Sequence, residues 1–179
     1  TPAALLGTNK FSSVFGTGAA TWRYARSVRF PWRPVLLAAA TAFVFAFLGA
    51  TAVSLLAKDA VRPLVLALLI VMLGYTLAKK DFGALHRPRE VGRRELGIAL
   101  AMGAVIGFYD GFFGPGTGSF LIFLFVRFFG LDFLRASAAS KVVNLATNIA
   151  ALSFFVPSGN VLLAVAVPMA VANIAGSVT

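Results

Sequence analysis

The chain alternates long apolar runs with short polar connections. The pattern predicts helices over 3–21, 35–57, 63–78, 96–110, 117–130 and 136–156, with a further helix beginning near residue 161. Several of these runs approach the roughly 20 apolar residues that a helix needs to cross a bilayer. We therefore expect an all-α, polytopic transmembrane bundle with the lipid bilayer as its surroundings.

The apolar stretch 96–130 is interrupted in its middle. Residues 111–118 read Gly-Phe-Phe-Gly-Pro-Gly-Thr-Gly, and four glycines with one proline disfavour a continuous helix. The two half-helices on either side would each be about 20 Å long, which is short for a span. Irregular backbone at membrane depth is tolerated only where protein or a watery cavity covers it. We expect a re-entrant hairpin whose tip contributes to a site.

Charge supports the membrane interpretation and gives an orientation. The chain is 59% hydrophobic and 12% charged, with a net charge of +10. Its basic residues cluster in connections such as 22–34 and 79–95, which is the positive-inside pattern and not a nucleic-acid face. A hairpin at 96–130 would place twelve basic residues on one face and two on the other, whereas a single crossing would give ten and four. The hairpin is therefore favoured.

The composition also limits the chemistry. There is no cysteine, and one histidine with six acidic residues makes a transition-metal site improbable. Neither a Ser–His pairing nor a set of metal ligands is apparent. We expect no metal, no cofactor and no enzymatic activity.

Two lysines stand inside the apolar helices. Lys10 and Lys141 would each cost about 3 kcal/mol or more in lipid, so a cavity or a partner is expected for them. Nearby amides such as Asn9 and Asn144 either contact a ligand or join helices. Asp110 is the one acidic residue outside the polar connections, and it is either a counter-ion of a lysine or a proton-coupling group.

The two lysines also mark a weak internal repeat. A shift of 131 residues superimposes Lys10 on Lys141 and 19–20 on the alanines 150–151. We predict two inverted repeats, a plan common among secondary transporters. We expect residues 1–95 to hold a partial first repeat with a cytoplasmic loop, and 96–179 a second repeat with the re-entrant hairpin, truncated at its C-terminal end. The sequence begins at Thr1 without Met, so we expect an internal fragment of a longer protein.

Three motifs resemble the TauE/SafE family of membrane transporters. They are the Asp-Gly-x-x-Gly-Pro-Gly-x-Gly element at 110–118, the Ala-x-x-Lys-x-x-Asn segment at 138–144 and the Gly-Thr-Asn-Lys segment at 7–10. The resemblance implies a helical transporter of two related halves in the inner membrane of a bacterium. It implies export of a small sulfur oxyanion, either sulfite or an organosulfonate.

We therefore predict a secondary transporter with a small anionic substrate, and an anion channel or a non-transporting membrane subunit as the alternative. The lysines would supply charge, and the start of the helix after the break would supply hydroxyl and backbone donors. The predicted substrate contacts are Lys10, Lys141, Asn9, Asn144, Ser140, Gly116, Thr117 and Gly118.

Overall fold

The structure is a computed structural model that describes residues 2–55 and 91–178, together with positions 63, 66, 67, 70 and 74. The predicted turn with Lys58 and Arg62, most of the predicted helix 63–78 and most of the polar loop 79–95 lie outside the described residues. Within the described ranges every regular element is an α-helix. They are α1 (Pro2–Ser27), α2 (Trp32–Leu55), α3 (Arg93–Phe112), α4 (Thr117–Phe129), α5 (Phe133–Phe155) and α6 (Leu163–Val178).

Helix α2 shows why the bundle suits a membrane. Its small residues Ala38, Ala42 and Ala46 are fully buried, while Val44 and Phe47 are 55% and 40% exposed. Large apolar side chains thus cover the outside and small ones allow close packing inside, which is the arrangement that lipid favours. Helices α2, α3 and α5 are each long and apolar enough to cross a membrane.

Helices α2 and α3 pack backbone against backbone. A Cβ atom added to Gly107 would lie 2.5 Å from the Ala42 carbonyl oxygen, and one added to Gly111 would lie 1.9 Å from that of Ala46. The contact advances in the same direction along both helices, so α2 and α3 run parallel. Their first residues therefore lie at the same face of the bundle.

The predicted break is present but shorter than expected. Helix α3 continues through Asp110 and Gly111 to Phe112, so the predicted end at residue 110 is wrong by two residues. Gly111 lies within the helix because α2 approaches so closely at this position that any side chain would clash with it. The chain then reverses over 113–116, and α4 begins at Thr117 as predicted.

The α3–break–α4 unit is a hairpin whose two ends share one face. The Arg135 Nε donates to the Arg29 carbonyl oxygen over 3.1 Å, which places the α4–α5 turn beside the α1–α2 connection. Because α2 and α3 run parallel, the start of α3 lies at that face as well. A Cβ atom added to Gly49 would lie 2.8 Å from the Phe112 backbone nitrogen, and Gly49 is six residues before the end of α2, so α3 ends about 9 Å short of that end. This geometry matches the predicted re-entrant hairpin.

Helix α1 packs against α5 and α6 at the other side of the bundle. A Cβ atom on Gly7 would lie 3.0 Å from the Phe155 Cβ, and one on Gly18 would lie 3.8 Å from Leu145. Residue numbers rise along α1 as they fall along α5, so the two lysine-bearing helices are antiparallel, as inverted repeats require. The repeat itself stays a prediction.

Candidate functional site

The tip of the hairpin depends on two glycines with left-handed backbone. Gly114 and Gly116 have φ angles of 92° and 80°, which residues with a side chain rarely adopt. The Tyr109 hydroxyl closes the turn by donating to the Pro115 carbonyl oxygen over 2.7 Å. The turn brings the end of α3 next to the start of α4.

Asp110 lies at the centre of this tip. The carboxylate is buried, with 2% of the residue exposed, and Lys10 and Thr117 beside it are 3% and 1% exposed. The Lys10 ammonium donates to Asp110 Oδ2 over 2.7 Å. The Thr117 hydroxyl lies 2.7 Å from Asp110 Oδ1 and 2.6 Å from the Gly114 carbonyl oxygen. Since a hydroxyl has one hydrogen, it donates to one of these acceptors at a time.

This cluster of Lys10, Asp110 and Thr117 is closed. A Cβ atom on Gly114 would lie 3.1 Å from the Lys10 Nζ, so no space remains on that side. The amides of Thr117 and Ser119 already donate to carbonyl oxygens within the tip. The carboxylate of Asp110 thus lies where an anion would meet the positive end of α4.

Lys141 has different surroundings. Its half-buried side chain lines a cavity of about 310 Å³ between α1, α5 and α6. The other lining residues are Ser13, Gly16, Thr17, Asn173, Gly176 and Ser177. Among the residues that the structure describes, Lys141 has neither an ion pair nor a hydrogen bond. An ammonium faces hydroxyl and amide groups in a space large enough for a small ion and some water.

The two lysines do not meet. If Gly7 and Phe155 are taken as level, Lys10 and Lys141 lie eleven residues apart along the antiparallel helices, or about 16 Å. Lys141 is the nearer of the two to the arginine-bearing face. The structure thus places the two lysines in separate surroundings within the described part of the chain.

The remaining predicted contacts are distributed around the bundle. Asn9 is exposed on α1, away from the buried face of Lys10. Ser140 is buried, and its hydroxyl donates to the Ala136 carbonyl oxygen over 2.7 Å. Asn144 lies beside the start of α4, since its Nδ2 would be 3.5 Å from a Cβ atom on Gly118. None of these three residues lines the Lys141 cavity.

The sequence prediction missed three polar residues of that cavity, namely Thr17, Asn173 and Ser177. Asn173 also donates to the Ser12 hydroxyl and so joins α6 to α1. The signal was available, because polar residues four apart within an apolar helix share one face. Their position opposite Lys141 depends on how α6 packs, which spacing alone does not give.

The family follows from comparison with known proteins. The model of the sulfite exporter TauE/SafE family matches residues 1–179. The chain belongs to this family. It is 34% identical over 176 residues to the probable membrane transporter protein ORF9 of a Sinorhizobium species, covering 98% of this chain and 67% of the relative. It is similar to the probable membrane transporter protein YfcA of Escherichia coli, at 34% identity over 98% of this chain and 65% of that protein.

A third relative, a probable membrane transporter protein of Haemophilus influenzae, is 31% identical over 98% of this chain and 68% of its own length. The chain thus spans about two thirds of the length of the curated relatives it matches. No solved structure matches it. The predicted family is confirmed, and the relatives belong to a family of membrane transporters.

Proposed function

We propose that the full-length protein is a secondary transporter that exports a small sulfur oxyanion, sulfite or an organosulfonate, across the inner membrane of a bacterium. Membership of the TauE/SafE family supports the transport of a solute and the class of substrate. The structure contributes a candidate position for the anion. The observation that carries the proposal is the Lys141 ammonium, which faces a polar cavity between α1, α5 and α6 without a carboxylate partner in the described ranges.

Electrostatics favours an anion in this cavity. Two opposite unit charges 4 Å apart interact by about 4 kcal/mol at an effective dielectric constant near 20, compared with about 1 kcal/mol in water. The hydroxyls of Ser13 and Thr17 and the second amide hydrogen of Asn173 supply donors for the oxygens of an oxyanion, whereas the Ser177 hydroxyl donates to the Ile174 carbonyl oxygen over 2.8 Å. A volume of about 310 Å³ would hold roughly ten waters at their liquid density, so a small oxyanion fits with part of its hydration.

Lys10 has a supporting function in this proposal. Its charge is balanced by Asp110, and the pair holds α1 against the tip of the hairpin. We assign Asp110 as the counter-ion of Lys10. The tip then positions α4 and α5, and an incoming anion would have to displace a buried carboxylate to reach Lys10.

The test is flux of labelled sulfite and sulfoacetate in vesicles that contain the full-length protein, with and without a proton gradient. Lys141→Met should lower the flux at least about tenfold, while Lys141→Arg, which keeps the charge, should retain part of it. Both variants should insert and run as folded protein on size exclusion. Normal flux in Lys141→Met would overturn the site.

The same vesicles distinguish the alternative. Flux that saturates with substrate and responds to a gradient supports a secondary transporter. Conductance far above the turnover of a carrier would indicate a channel, and an absence of flux with the folded wild-type protein would indicate a non-transporting subunit.

A further inference from the structure

We propose that the Lys141 cavity is the inner part of an anion route that opens on the arginine-bearing face through an outer chamber with Arg23. The term outer chamber denotes a second cavity of about 510 Å³, lined by Arg23, Tyr24 and Ser27 of α1, by Leu134 of α5 and by Ser177 of α6. Its ligand would be the monovalent oxyanion of the transport reaction. The identity of that anion rests on the proposed function.

Ser177 connects the two spaces. It lines the Lys141 cavity and the outer chamber, so they adjoin each other at this residue. Helix α1 forms a continuous wall across the junction. The lining residues Ser13, Thr17, Ala20 and Tyr24 follow at intervals of three or four residues and therefore share one helix face.

The outer chamber lies at the arginine-bearing end of the bundle. It adjoins the last turns of α1, and the following connection contacts Arg135 through the Arg29 carbonyl oxygen. The positive-inside pattern assigns this end to the cytoplasm. An anion leaving the cytoplasm would thus meet the outer chamber first and the Lys141 cavity second.

The charges along this route select its ligand. Among the residues that the structure describes, the linings contain no carboxylate, and their basic residues are Arg23 in the outer chamber and Lys141 in the inner cavity.

Cysteine labelling tests this route without requiring transport. The 179 residues contain no cysteine, so Thr17→Cys and Ser177→Cys each add one thiol to this part of the full-length protein. Any cysteine elsewhere would be replaced beforehand. A sulfonate-bearing and a trimethylammonium-bearing methanethiosulfonate would be applied to inside-out vesicles. Ala25→Cys on exposed α1 is the accessible control, and the lipid-facing Val44→Cys is the inaccessible one.

We expect both cavity thiols to react. The ratio of the sulfonate reaction rate to the cationic reaction rate should be at least about threefold higher at these thiols than at Ala25→Cys. Adding Arg23→Gln should lower the sulfonate rate at Ser177→Cys at least about threefold without lowering the cationic rate. Failure of both cavity thiols to react while Ala25→Cys reacts would overturn the route. So would reaction rates that do not depend on the charge of the reagent.

These results separate the route from the proposed function. Labelling as expected with normal flux in Lys141→Met would preserve the route and reject Lys141 as the transport site. Flux that depends on Lys141 with unreactive cavity thiols would reject the route alone.

Discussion

Lys10 and Lys141 stand on similar helices yet have opposite surroundings. Lys10 is 3% exposed and contacts a carboxylate at 2.7 Å, and a Cβ atom on the neighbouring Gly114 would lie 3.1 Å from its Nζ. Lys141 is half-buried beside a cavity of about 310 Å³, and no acidic partner is present in the described ranges. A charged residue in a membrane protein can thus stabilise the fold or bind a ligand. We infer which from whether an oppositely charged side chain already contacts it.

The largest expected difference between the two lysines is in how much each contributes to the stability of the protein. Lys10→Met would leave the Asp110 carboxylate buried and unpaired, and breaking a buried pair in this way costs about 3–5 kcal/mol. We expect poor insertion or a much lower midpoint of unfolding in detergent. Lys141→Met should change the free energy of unfolding by less than about 1 kcal/mol, because an apolar side chain suits the surrounding helices.

A double variant controls this prediction. Lys10→Met with Asp110→Asn removes both charges and should recover most of the lost stability. The Asn amide also donates to the Thr117 hydroxyl, which is then free to donate to the Gly114 carbonyl oxygen. A double variant as unstable as Lys10→Met would show that the charge pair is not the cause.

The second prediction compares the Thr117 hydroxyl, in the closed cluster with Lys10, with the Ser177 hydroxyl, beside the Lys141 cavity. Thr117→Val keeps the shape and removes the donor to Asp110, which should cost about 1–3 kcal/mol because the carboxylate loses a buried partner. Ser177→Ala on the Lys141 side should cost less than about 0.5 kcal/mol, because that hydroxyl donates to the Ile174 carbonyl oxygen at a partly exposed position, where water can replace it. Chemical unfolding in detergent measures both. Thr117→Ser serves as the control and should lie near wild type, and equal losses in Thr117→Val and Ser177→Ala would contradict the contrast.

The smallest expected effect comes from adding one methyl group beside each lysine. Gly114→Ala forces a left-handed residue to carry a Cβ atom 3.1 Å from the Lys10 Nζ, which should cost about 1–2 kcal/mol. Gly176→Ala lines the Lys141 cavity and meets nothing within 4 Å, so it should be neutral or gain up to about 1 kcal/mol of helix propensity. The midpoint of thermal unfolding of each purified variant, compared with wild type, measures both effects. A stabilised Gly114→Ala would mean that the tip is looser than described.

Much of the fold could be predicted from the sequence. Apolar run length indicated the membrane helices, and the glycines and proline of 111–118 indicated the hairpin. Both signals are local, since they depend on composition and on backbone conformation. The end of α3 was predicted two residues early, because the close approach of Gly111 to Ala46 outweighs the low helix propensity of glycine.

The site was harder to predict, because its contacts are not local. Asp110 is 100 residues from Lys10 in the chain, and no spacing rule says which lysine receives the carboxylate. The same holds for Asn173 and Ser177, whose position opposite Lys141 follows from the packing of α6 on α1. The sequence named Lys10, Lys141 and Asp110 as candidates, but their separation into a closed pair and an open cavity needed the tertiary structure.

The central claim is that the anion binds at Lys141 and not at Lys10. Equilibrium binding of labelled sulfite to the purified full-length protein tests it most directly, with Lys141→Met compared to the double variant Lys10→Met with Asp110→Asn. A lost contact worth about 1.4 kcal/mol or more predicts at least a tenfold weaker Kd for Lys141→Met. The double variant should bind within about threefold of wild type. Loss of binding in the double variant, with binding kept in Lys141→Met, would contradict the account.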